Sequence, residues 1–153
     1  MAELHKLFST FSQFQLAKSG DSQSESLIHL IDTFAASNAK FKVVGEGFEL
    51  AADIQGLDSI KEWLQNTFVP GYYNNLDVAQ APSVSDTPEV IGNPATPNSS
   101  FAIVFHSELT AKSGKPFVND AVFVVKTNSH GKWADVKLYL DTLNVQKLTS
   151  GSA

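Results

Sequence analysis

His106 and Glu108 stand two residues apart in the strand-like segment FAIVFHSELTA (101–111), and a strand turns alternate side chains to the same face. One set on this strand is Ala102, Val104, His106, Glu108 and Thr110; the other is Phe101, Ile103, Phe105, Ser107 and Leu109. The next strand-like segment (117–127) follows a short turn, pairs antiparallel, and offers Asp120 with Val122 and Val124. A histidine beside carboxylates is an acid/base unit, because the carboxylate fixes the imidazole tautomer and an apolar cavity moves the pKa values towards neutrality. The chemistry is proton transfer: isomerisation, dehydration, aldol-type cyclisation or hydration of a small apolar substrate, with no cofactor. The candidate catalytic residues are His106 as base or acid, Glu108 as its orienting partner and Asp120 as a second proton donor. The same pattern also suits a solvated outer face or a dimer interface. The set with Phe101, Ile103 and Phe105 is the more apolar, so the residues alone leave open which face turns inward.

Other chemistries find less support. Four dispersed histidines and no cysteine leave His106, Glu108 and Asp120 as the one conceivable metal cluster, without a further well-spaced ligand, and no metal is expected. Gly45-Glu46-Gly47 lacks the pattern of a phosphate loop, and there is no nucleophile elbow. His29 and Asp32 read as exposed positions beside a helix stripe, while His5 and His130 fall near the terminus and in a turn. Tyr139 and Asp141 read as the structural ending of the last strand, Asp141 capping a terminal helix at 142–148. Asn98-Ser99-Ser100 fits a glycosylation sequon, idle without a secretory signal.

An apolar lining is easier to find. Phe48, Trp63, Phe68, Tyr72 and Tyr73 gather around a third helix and its exit, and Leu138 and Leu140 share a face of the last strand with Val136. Together they suit a greasy or aromatic substrate. Tyr72 or Tyr73 could donate a hydrogen bond to a carbonyl or oxyanion.

These groups sit on 153 residues, enough for one domain. Hydrophobic residues make up 42%, charged residues only 18%, and there are 11 Phe, a surplus that fills a core or lines a hole. The net charge of −5 disfavours nucleic acid and acidic membrane surfaces as partners. The absence of cysteine excludes thiolate chemistry and accords with a cytoplasmic address. The N-terminal stretch MAELHKLFSTFSQF has no signal-peptide core, and no apolar run approaches the roughly 20 residues a bilayer requires.

The elements that must position the candidates follow from periodicity. Leu4, Leu7, Phe8, Phe11 and Phe14 form the stripe of an extra N-terminal helix (3–18). Ser22 and Glu25 read as a capping box for a second helix carrying Leu27, Leu30, Ile31 and Phe34 and ending at Ser37-Asn38. Residues 41–54 suggest a short hairpin or bent strand pair. Gly56-Leu57-Asp58 launches the third helix, stopped at Pro70-Gly71. A proline-rich loop (77–100) follows, with a short edge strand near 76–84, read either as a flap over a pocket or as a surface insertion. Three strands (101–111, 117–127 and 133–141), joined by Lys112–Lys115 and Asn128–Lys132 turns, make an antiparallel meander, and the fold class is α+β.

The stretch GKWADVKLYLDTLNVQKL (131–148), with its Gly-Lys turn, Tyr-x-Asp strand ending and short terminal helix, resembles the ending of SnoaL-like polyketide cyclases. These belong to the nuclear-transport-factor-2-like (NTF2-like, ketosteroid isomerase-like) superfamily. Gly56–Leu64 is similar to the family's Gly-x-x-x-Ile helix start, and the resemblance covers roughly residues 24–148. It implies a single SnoaL-like domain (1–148) with a short tail (149–153), shaped as a cone: a strongly curved antiparallel sheet wrapped against helices around an internal apolar pocket. It implies a homodimer through the outer sheet face, and an isomerase, cyclase or lyase of secondary metabolism acting on a hydrophobic polyketide- or terpenoid-like metabolite. By the family's register the His106 face is the concave one. The residue before the Tyr of Tyr-x-Asp is often a catalytic acid in relatives that resemble the epoxide hydrolase, and here it is Leu138. That departure favours the alternative, a non-catalytic ligand-binding or dimerisation module.

Overall fold

Two rows of apolar side chains run across the sheet and define its inner face. Register places Ile103 opposite Phe123, Phe123 opposite Leu138, and Leu138 beside Val43. The adjacent row is Phe101, Val125, Val136, Phe41 and Ile54. All but Ile54 are buried, Ile103 and Val125 completely, and each such side chain contributes about 1.5–3 kcal/mol through its removal from water.

The computed structural model describes residues 28–45, 50–68, 70–71, 89–94 and 96–149. The described chain runs through helix α1 (28–34), β1 (Ala35–Val44), β2 (Ala52–Gln55), helix α2 (Leu57–Trp63) with a π-helical turn (Leu64–Phe68), and β3 (Glu89–Ile91). It ends with β4 (Ser100–Thr110), β5 (Pro116–Thr127), β6 (Trp133–Tyr139) and helix α3 (Thr142–Thr149). The sheet order is β2-β1-β6-β5-β4-β3. Leu30, Ile31, Ile60, Leu64, Phe68 and Val145 lay the helices on the apolar rows in one core. This is the expected α+β cone, a curved six-stranded sheet wrapped on helices. Every pairing is antiparallel except β1 with β6, which is parallel.

The meander forms where its turn residues predict. In the β4–β5 turn the Ala111 N–H donates to Lys115 O at 2.9 Å, and Gly114 takes φ 85°. In the β5–β6 turn Asn128 Oδ1 accepts the N–H groups of His130 and Lys132 at 2.9 and 3.0 Å. Gly56 starts α2 at φ 97°, with its N–H donated to Ala39 O at 2.8 Å, and no side chain caps the helix. Several boundaries among the described residues differ from expectation. β1 begins at Ala35, directly after α1, so the second helix ends before Ser37-Asn38. The described edge strand is Glu89–Ile91, while the expected one at 76–84 lies outside the described residues. Pro70 and Gly71 are themselves helical, since a proline fits a helix wherever no preceding carbonyl needs its missing N–H. α3 runs to Thr149, one residue into the expected tail. The N-terminal helix, the Ser22/Glu25 capping box, Leu27 and residues 150–153 also lie outside the described residues.

Candidate functional site

The predicted trio is assembled. β4 and β5 pair in a register that sets His106 directly opposite Asp120, with Glu108 one pleat further along β4 on the same face. His106 Nδ1 lies 2.5 Å from Asp120 Oδ1 and Nε2 lies 3.2 Å from Glu108 Oε1. An ionised carboxylate only accepts hydrogen bonds, so the arrangement suits an imidazolium that donates from both ring nitrogens. The hydrogen bond to Asp120, then that to Glu108, raises the His106 pKa above its ordinary value, against a smaller opposing effect of burial. Both ring nitrogens are thus committed to carboxylates, and among the described residues no group of three or more His, Cys, Asp or Glu is placed to hold a metal ion.

The face is the opposite of the one the family's register implied. Phe101 and Ile103 are buried at 3% and 0% exposure, while the side chains of His106, Glu108 and Asp120 are 37%, 53% and 69% exposed. The reason is cross-strand continuity: Leu138 is inward, Phe123 lies opposite Leu138 and Ile103 opposite Phe123. His106, an odd number of residues from Ile103, must then face out. The desolvated acid/base centre expected inside the cone is not formed by these residues.

The inner side carries a different feature. α2 gives way after Trp63 to the π-helical turn Leu64–Phe68. Residues five apart in an α-helix point about 140° away from each other, but the wider π turn brings them to one side. Trp63 and Phe68 accordingly meet with ring centroids 5.2 Å apart, and Trp63 also meets Phe41 of β1 at 6.0 Å. Phe41 and Phe68 are buried and Trp63 only partly, so this cluster opens to the surface at the indole. π-helical turns recur at functional sites, and no sequence pattern for this one was apparent beyond the aromatics themselves.

The other candidates fall as follows. Leu138 is buried within the inner rows and Leu140 is partly buried against them. Phe48, Tyr72 and Tyr73 lie outside the described residues, as does His5. Tyr139 is 43% exposed on the outer face. Asp141 accepts the Val145 N–H on its backbone carbonyl at 3.0 Å, opening α3. His29 and Asp32 are exposed as expected, and Asp32 takes a 2.9 Å ion pair with Lys61 that ties α1 to α2. His130 is exposed in its turn. Among the described residues no helix is long and apolar enough to cross a membrane.

With the geometry in view, the solved structures supply the class. A candidate isomerase from Bacillus subtilis is 21% identical, with 100% of this chain and 98% of that one covered at a TM-score of 0.59. An NTF2-like protein from Burkholderia pseudomallei is 14% identical, with 94% and 97% covered at 0.61. A candidate isomerase of the SnoaL-like family from Agrobacterium tumefaciens is 16% identical, with 92% and 99% covered at 0.53. The chain has the NTF2-like fold. No protein-family model matches the chain, and no curated protein matches it either.

Proposed function

We propose that this chain binds a hydrophobic small molecule, polyketide- or terpenoid-like in chemistry, against the aromatic cluster of Phe41, Trp63 and Phe68, without a cofactor, and works as a homodimer through the outer sheet face. The observation that carries the binding site is the half-buried Trp63, held between two aromatic rings at 5.2 and 6.0 Å where the apolar inner face comes to the surface. Stacking and apolar contact there would hold a flat or greasy ligand. The two inner rows are wholly apolar, and among the described residues Thr127 is the one buried polar residue, which suits retention of an apolar molecule. Titration with polyketide- and terpenoid-like compounds, followed by tryptophan fluorescence, tests this. Saturable binding lost in Trp63→Ala supports the reading; equal binding by both proteins sinks it.

A second reading, the cofactor-free isomerase, cyclase or lyase, rests on the hydrogen-bonded chain of Asp120, His106 and Glu108. In it His106, whose two nitrogens both face carboxylates, enters as the acid in its protonated form, and Asp120 or Glu108 receives the returning proton. Turnover of a bound compound that falls at least about a hundredfold in His106→Ala, the usual scale of a lost acid/base group, would establish it. Unchanged turnover would leave the binding module.

A further inference from the structure

The outer face of the sheet is divided by charge. At its centre lie Ala102 and Val104 of β4 with Val122 and Val124 of β5, all partly exposed, flanked by the exposed Ile91 and Tyr139. Towards one corner stand His106, Glu108 and Asp120, with Glu89 of β3 opposite Val104. Towards the diagonally opposite corner stand Lys137 opposite Val124, Lys42 beside Lys137, Lys40 beside Asp135, and Lys126 opposite Asp135, with Asp53 opposite Lys42. Counting His106 as its cation, the first corner carries −2 (three carboxylates, one imidazolium) and the second +2 (four lysines, two aspartates).

Two copies that meet through the same face are related by a two-fold axis lying in the interface. An axis along the strands through Val122 sets Asp120 over the other copy's Asp120, and one straight across them sets the trio over the uncharged Ala102, Val124 and Ser100. An axis oblique to the strands through Val122 exchanges the two corners and brings the trio of one copy over the Lys137 corner of the other. Like-charge juxtaposition costs several kcal/mol, whereas the exchange is attractive at both ends.

Resting on the homodimer reading, we infer that two copies pair in this oblique orientation, each His106–Glu108–Asp120 trio meeting the other copy's Lys137 and Lys42, and that loss of the His106 proton tightens the pairing. The groups facing His106 are Asp120 from β5, Glu108 from its own strand and Glu89 from β3. In the free chain the carboxylates hold the proton on; the approaching lysines and the removal of water both act against the cation. Pairing therefore releases protons, and by linkage it strengthens as pH rises through the His106 pKa.

Sedimentation equilibrium of the full chain between pH 5.5 and 8.5 tests this, with folding of every variant checked by circular dichroism. Wild type should dimerise more tightly at high pH. His106→Gln should dimerise with no pH dependence in that window, and Lys137→Glu should weaken the dimer about tenfold. Adding Asp120→Lys to Lys137→Glu should restore affinity, as both partners of the contact are then reversed. A dimer insensitive to Lys137→Glu, unrestored by the double reversal, or tighter at low pH overturns the orientation while leaving the homodimer standing. A monomer at every pH overturns the homodimer reading itself and the orientation with it.

Discussion

Which face of β4 looks inward decides where chemistry can occur, and two neighbouring residues test it. Ile103 is fully buried in the row with Phe123, while Val104 is partly exposed on the outer face opposite Val122. Ile103→Ala deletes three carbons, roughly 2.4 kcal/mol at about 0.8 kcal/mol each, and the cavity left between Phe123 and the helices raises this to about 3–4 kcal/mol. Val104→Ala deletes two carbons from a side chain that already meets water, and costs less than about 1 kcal/mol. In urea, with a slope of about 2 kcal/mol/M, the midpoints should fall by about 1.5–2 M and less than about 0.5 M. Repeating the melts over a range of protein concentrations adds a second readout. If outer faces pair, the Val104 cost grows with concentration through the linked assembly, and the Ile103 cost does not. Equal losses at the lowest concentration, or a larger loss for Val104, would refute the inward assignment of Ile103 and reopen the cone to His106.

Thr127 is 7% exposed, and its hydroxyl donates to Thr96 O at 2.7 Å while accepting the Ser99 N–H at 3.0 Å. Thr127→Val keeps the shape and removes both bonds, so unfolding by urea should show a loss of about 1–3 kcal/mol. Gly92 has φ 95° and a Cβ there would meet Ser100 O and Phe101 Cβ at 3.1 Å, whereas Gly114 at φ 85° faces open space. Gly92→Ala should therefore lower the melting temperature more than Gly114→Ala, whose cost is the backbone strain of about 1–3 kcal/mol alone. The His106 proton resonances should titrate above the ordinary histidine range, and Asp120→Asn, which removes the largest cause, should lower that midpoint. Because the folded pKa is the higher one, the trio stabilises fully below the unfolded histidine value and loses that contribution as pH rises through the folded value.

Much of this was written in local pattern. The meander was legible because Gly114, Asn128 and Gly131 mark its turns and because 101–111 and 117–127 are rich in β-favouring residues between them. The contact of His106 with Glu108 and Asp120 followed from parity plus a short hairpin. The inward face did not, because parity sorts a strand into two sets without naming the buried one. The information lay in pairing across strands: once Leu138 is inward, the opposed positions Phe123 and Ile103 must be inward too. In the observed registers an inward His106 is incompatible with an inward Leu138, and only a one-residue slip or a bulge would reconcile them. β1 was placed too late because AASNA reads as a helix end, and only pairing of Ala35 with Trp133 draws it into the sheet. The π-helical turn had no local signature, since it goes with the contact of Trp63 and Phe68, five residues apart, rather than with any short motif.

Separating the two faces makes their roles independently measurable. A ligand against Trp63 lies on the helical side of the sheet, and the trio lies on the other, with the buried rows of Phe101, Ile103, Phe123 and Val125 between them. A proton held on His106 cannot reach such a ligand without passing through these closely packed rows. Trp63→Ala should therefore remove ligand binding while leaving dimerisation intact, and Lys137→Glu should do the reverse. If one of these variants alters both readouts, the faces communicate through the sheet itself, and the tight rows at Ile103 and Val125 are where the coupling must pass, because contacts there have no slack to absorb a shift.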